Sequence, residues 1–209
     1  QALAPAGDII LFVLVMLGIG FTEELVFRGI VANILKDKFS VHTDKGIFLV
    51  IVIQGVLFGA CHMTNMLSGI GLESALVQSI MASFLGMLLG AIYLRTNSLW
   101  FVMLLHAWND FGALLAAGLY GDNTIIGSID GYTWQNLAGL PAYIVVVLIL
   151  LRASKRREIK DGRLYPAPLG IRIAKGVALT LFCVGLLALV AVSMFFAAHP
   201  DFLNGLVNR

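Results

Sequence analysis

Charge is scarce in this chain: Lys, Arg, Asp and Glu together make up 12% of its 209 residues, about half the share of a soluble globular domain. With 59% hydrophobic residues, that scarcity excludes a soluble enzyme or a nucleic-acid binder and points to an integral membrane protein. Cysteine is nearly absent. Cys61 and Cys183 stand in separate apolar stretches without CxxC spacing, so neither a disulfide framework nor a cysteine metal site is expected, and both read as small buried hydrophobes. The period-two alternation and frequent turn signals of a membrane β-barrel are missing, as are a fixed-period repeat and a low-complexity tract. The chain opens at Gln1 without Met and without a basic segment before an apolar run and cleavage site. That does not read as a signal peptide and leaves room for residues before Gln1.

What is present is a series of hydrocarbon-length apolar runs. A crossing takes about 20 residues, and run length predicts an all-α, polytopic transmembrane bundle with helices at 9 to about 35, 46–63, 75–94, 99–120, 136–151 and 173–198. One membrane domain over 1–209 is expected. Gly55-x-x-x-Gly59 and Gly86-x-x-x-Gly90 on the second and third helices allow backbones to approach closely. Lys and Arg alternate between connections. The first has Lys36, Lys38 and Lys45, the third Arg95, and the fifth Arg152, Lys155, Arg156, Arg157, Lys160, Arg163 and Arg172 beside Pro166 and Pro168. The second and fourth have only Glu73, Asp122 and Asp130. Positive charge gathers on the cytoplasmic side, which places the odd-numbered connections there. The basic fifth connection is read as a topological signal rather than a lipid or nucleic-acid site.

Against that apolar background three patterns stand out: Glu23-Glu24-x-x-x-Arg28, Phe58-x-x-x-His62 and His106-x-x-x-Asp110. A charged group at mid-membrane costs about 3 to more than 10 kcal/mol, so these groups must pair with one another. Glu24 and Arg28 are one turn apart in the favourable order, acid before base. Glu23 lies about 100° around the helix, so Arg28 cannot serve both acids equally. The expected division is a supporting Glu24–Arg28 ion pair and an inward, reactive Glu23. Phe58 and His62 stack one turn apart, and Asp110 shares a face with His106, where it either orients the imidazole or lines the same cavity.

Taken together and in this order, the three patterns resemble the CPBP (Abi) family, which contains type II CAAX prenyl endopeptidases and bacteriocin-processing enzymes. The resemblance covers about 9–120. Phe27-Arg28-Gly29, and Ser98-Leu99-Trp100 ahead of Leu105-His106-Ala107, are similar to bacterial members, which implies a bacterial plasma membrane. The family implies an intramembrane endopeptidase in which Glu23 and His62 activate the water that attacks the scissile carbonyl. It further implies that His106 and Asp110 complete the site, and that a peptide or membrane protein is the substrate, either CAAX-type or a leader or bacteriocin peptide. Prenyl proteases of the family generally have Asn where this chain has Asp110. Asn can donate to an oxyanion and an ionised Asp cannot, so Asp110 must be protonated, orient His106, or bind a metal.

Metal dependence is left open. Glu23, His62 and His106 could ligate zinc, and the family is described both as metallopeptidase and otherwise. No His-Glu-x-x-His stands on one helix, and a carboxylate with an imidazole suffices to activate water, so the metal-free chemistry is slightly preferred. Two alternatives remain. One is a proton-coupled transporter with Glu23, His62, His106 and Asp110 as a relay, disfavoured by the lack of an inverted repeat. The other is a non-catalytic immunity or scaffold protein of the same fold. One expectation conflicts with the rest: counted from the expected helix ends, His106 falls roughly 10 Å from the cytoplasmic side, Glu23 about 18 Å and His62 about 24 Å.

Overall fold

A computed structural model describes residues 3–121 and 124–162. The described residues are helical throughout, with turns and no strand. Helix α1 (Ala6–Glu24) follows Pro5 and runs through a π-helical stretch, Leu25–Val31, into α2 (Ala32–Phe39). Thr43, whose hydroxyl accepts from Gly46 N at 3.0 Å, caps α3 (Asp44–Cys61), and a 3-10 stretch, His62–Ser68, continues it. Next come α4 (Leu72–Thr96), ended by Asn97 in the left-handed region, and α5 (Leu99–Ala113). Short helices α6 (Leu115–Tyr120) and α7 (Ile125–Asp130) follow, then a 3-10 turn, Trp134–Gly139, α8 (Leu140–Leu150) and α9 (Ala153–Lys160).

Among the described residues, three helices are long and apolar enough to cross a membrane, Ala6–Phe39, Asp44–Ser68 and Leu72–Thr96. A fourth is reached only if Trp134–Leu150 and Ala153–Lys160, bent by 58°, form one broken span. The expected helix over 99–120 is interrupted at Leu114 (φ −109°, ψ 12°). Its first part is about 22 Å long, short of a hydrocarbon core of about 30 Å. Run length cannot register such a break, because the residues on both sides are equally apolar. The expected helix over 173–198, together with Cys183, lies outside the described residues. Cys61 is exposed on α3 rather than buried, since a helix in an apolar solvent has no reason to turn a small thiol inward.

The conflict in depth disappears with the true boundaries. The first helix ends at Phe39 instead of near 35, which puts Glu23 about 24 Å from that end, while His62 lies about 27 Å from the start of α3. The two residues are level. His106 is only about 10 Å into α5, so the α4–α5 turn is recessed relative to the α2–α3 turn. Helix α9 bridges the step. At one end Lys160 Nζ and Arg156 Nε reach Asp44 at 2.8 and 3.2 Å, and His42 Nδ1 donates to the Lys160 carbonyl at 2.9 Å. Toward the other, Arg95 meets Glu158 at 3.8 Å and donates to the Leu150 carbonyl at 2.9 Å. The first and third connections and the described part of the fifth thus gather at one end of the bundle. At the other end the Asp130 carboxylate accepts from Gly71 N at 2.7 Å, and Ser74 donates to the Asp130 carbonyl at 2.6 Å.

The most extensive packing is α3 on α4 and α1 on α5. Small residues make both contacts. A methyl group on Gly86 would sit 3.0 Å from Gly55 Cα, and one on Gly59 would overlap the Ser79 carbonyl and the Ser83 hydroxyl. Ser79 also donates to the Gly59 carbonyl at 2.8 Å, so the two helices touch backbone to backbone. Gly59→Ala is therefore expected to lower stability by about 1–3 kcal/mol, as overpacking does, visible as a lower melting temperature in detergent. A main cluster built on Ile47, Ile51, Leu89, Ile92 and Leu105 fills the bundle toward its basic end.

Candidate active site

The acids of the first motif lie in the middle of a 34-residue helix, not at a solvated end. Glu24 and Arg28 are fully buried and His106 is 2% exposed. Arg28 Nη1 donates to Glu24 Oε1, while Nη2 donates to the Gly86 carbonyl at 2.7 Å. Its guanidinium also lies over the Phe58 ring, 5.0 Å from the centroid. The same Glu24 oxygen accepts from His106 Nδ1 at 2.9 Å. That bond fixes the imidazole and turns Nε2 the other way, toward Asp110 Oδ2 at 3.6 Å and Glu23 Oε2 at 3.7 Å.

Glu24, expected only to pair with Arg28, therefore also orients the histidine. Asp110 sits instead on the open side of the ring, steadied by Asn109 Nδ2 at 3.3 Å. The separations of 3.6 and 3.7 Å are longer than direct hydrogen bonds; a polar contact of that length accommodates a bridging water. Glu23 is the more exposed member of the acid pair, yet its Oε2 is buried and has no donor among the described residues.

His62 begins the 3-10 stretch that follows α3. Its Nδ1 is 3.0 Å from the Phe58 carbonyl. A carbonyl only accepts, so Nδ1 carries the proton and Nε2 is left as an acceptor. His62 lies within electrostatic reach of both Glu23 and Asp110. Phe58 joins the histidines: its ring meets His62 edge-on at 4.9 Å and His106 at 5.4 Å, with Phe27 at 5.0 Å behind it. Its place between two imidazoles and a guanidinium gives the Phe-x-x-x-His spacing its physical content.

Among the described residues no three His, Cys, Asp or Glu side chains are grouped to hold a metal ion. Nδ1 of each histidine donates to a protein acceptor, His62 to the Phe58 carbonyl and His106 to Glu24, which leaves each Nε2 free on the side of Glu23 and Asp110.

Other contributors escape the motifs. Gln54, fully buried, donates to the Gly86 carbonyl at 2.7 Å beside Arg28. A Gln at helical spacing ahead of Phe58 inside an apolar run was the available signal. Gly20 lets α5 close on α1, since a methyl group there would sit 2.6 Å from Ala107 N. That contact brings His106 to Glu24, and a lone Gly gives no sign of it. On the face of the first helix that carries Phe21, Thr22 and Leu25, an apolar groove of about 390 Å³ runs against α5, where Leu99, Trp100 and Met103 complete its lining.

Among protein families, the model described as type II CAAX prenyl endopeptidase Rce1-like matches residues 5–112. The match spans α1 to α5 and includes every residue of the site just described. No curated protein and no solved structure matches the chain.

Proposed function

The chain belongs to the Rce1-like family of type II CAAX prenyl endopeptidases, an integral membrane protease family, and on that premise we propose that Glu23, His62, His106 and Asp110 hydrolyse a peptide bond within the membrane domain. The observation that carries the proposal is the two-sided His106. One nitrogen is tied to the buried Glu24–Arg28 pair, and the other faces Glu23 and Asp110.

In the proposed step Glu23, with the acceptor Nε2 of His62, takes up and orients a water molecule. Its carboxylate removes one proton as the water oxygen bonds to the scissile carbonyl carbon. Protonated Nε2 of His106 donates to the resulting oxyanion. Asp110 accepts rather than donates, so its role is to hold His106 or the water, in place of the oxyanion contact an Asn would make. When the C–N bond breaks, Glu23 returns the proton to the departing amine. The two carboxylates that face His106 favour its protonated form, which is the donor this step needs.

The apolar groove between the first helix and α5 would lodge an apolar portion of the substrate, which suits a CAAX-type or leader peptide held at the bilayer. Gathering of the basic connections at one end supports a cytoplasmic orientation for that end, and one membrane domain with the protease core at about 9–120. The test is reconstitution into liposomes with a prenylated CAAX peptide and a leader-like peptide. New peptide termini are expected. Proton-coupled uptake with no new termini would overturn the proposal in favour of a transporter.

A further inference from the structure

The helix that carries both acids does not stay α-helical across the motif. Leu25–Val31 is π-helical, a form with i→i+5 bonding that is rare and mostly a single turn. Returning from i+5 to i+4 bonding leaves one carbonyl over at the exit. One side chain turns back onto that exit: Asn33 Nδ2 donates to the Gly29 carbonyl at 2.8 Å and the Arg28 carbonyl at 3.2 Å. Its Oδ1 accepts from Lys36 Nζ at 3.1 Å and from the Tyr93 hydroxyl at 3.3 Å. Tyr93 is buried on α4, 7% exposed, and the Lys36 ammonium lies 5.6 Å from its ring centroid.

We propose that Asn33 is a positioning residue for the reaction, acting through Arg28: it holds the π-helical register on which Arg28 reaches Glu24 and α4 at once. An extra residue in one turn rotates everything beyond it by roughly 100° relative to everything before it. If the stretch relaxed to an α-helix, Arg28 could not keep its bonds to Glu24 and the Gly86 carbonyl while α2 kept Asn33 against Tyr93. Asn33 binds both sides of that choice. Its amide closes the backbone of Arg28 itself, and its oxygen is tied to the helix that supplies Gly86. The effect passes from Arg28 to Glu24 and from Glu24 to His106 Nδ1.

The inference rests on reading His106 and Glu23 as the reacting site, so its test has a readout that does not depend on catalysis. Asn33→Leu removes every polar contact at similar size. Asn33→Ser retains a hydroxyl that reaches the carbonyl four residues back, here Gly29. For Asn33→Leu we expect kcat to fall about tenfold or more with KM within about twofold, the pattern of a misplaced reacting group. In 15N-histidine-labelled protein, the hydrogen-bonded Nδ1–H signal of His106 is expected to shift or disappear. Asn33→Ser is expected to keep both, within about threefold in kcat. Asn33→Ala substitutes if Asn33→Leu does not fold. Unchanged kcat and an unchanged His106 signal in Asn33→Leu, with only a lower melting temperature, would overturn the inference. A shifted His106 signal alongside full cleavage by Glu23→Gln would uphold the positioning by Asn33 while refuting Glu23 as the base.

Discussion

Arg28→Ala is expected to lower folded yield, melting temperature and peptide cleavage together. Arg28 is fully buried and makes three contacts, with Glu24, the Gly86 carbonyl and the Phe58 ring. Removing it leaves the Glu24 carboxylate in the interior with His106 as its one remaining donor among the described residues. Breaking a buried pair from one side costs about 3–5 kcal/mol, a large part of the stability of an ordinary domain. Sequence alone suggests that Glu24→Gln should be mild, because an amide oxygen still accepts from Arg28. The geometry makes it intermediate. The amide oxygen would also have to accept from His106, and the new NH2 group would replace Glu24 Oε2, a buried oxygen with no partner among the described residues. The expected order of stability loss, measured by thermal melting in detergent, is therefore Arg28→Ala, then Glu24→Gln. A stable but inactive Arg28→Ala protein would place Arg28 in the chemistry instead.

Glu23→Gln should show the reverse. Its side chain is 34% exposed and forms no ion pair with Arg28, so an amide of the same shape should leave the melting temperature near that of the parent. Cleavage should drop by about 10²–10⁴-fold, the usual contribution of a positioned general base. These two variants separate support from chemistry on adjacent residues of one helix.

Much of this site was legible because membranes make polar residues conspicuous. Glu23, Glu24, Arg28, His62, His106 and Asp110 stand out against apolar neighbours, and helical spacing alone pairs Glu24 with Arg28. Gly55, Gly59, Gly86 and Gly90 were legible as packing residues for the same reason, and α3 and α4 do close upon them. What spacing could not supply was contact between helices. Nothing in the sequence says that Glu24 turns to His106, 82 residues away, because that depends on Gly20 admitting Ala107. Nor does an ideal 3.6-residue period reveal a π-helical stretch. Its signal is Asn33, a polar residue whose meaning appears only once the backbone behind it is seen. Helix ends were misplaced at Phe39 and at Leu114 because hydropathy changes slowly there while hydrogen bonding changes abruptly.

The central claim is that Glu23 drives hydrolysis of a peptide bond at this site, and the most direct test reads the products. Membranes containing the parent protein and membranes containing Glu23→Gln at equal folded amounts would be compared by mass spectrometry of newly formed peptide termini. A discrete set of termini, from peptides with an apolar or lipid-bearing segment, is expected with the parent protein and not with Glu23→Gln. The same termini at equal abundance in both membranes would contradict it.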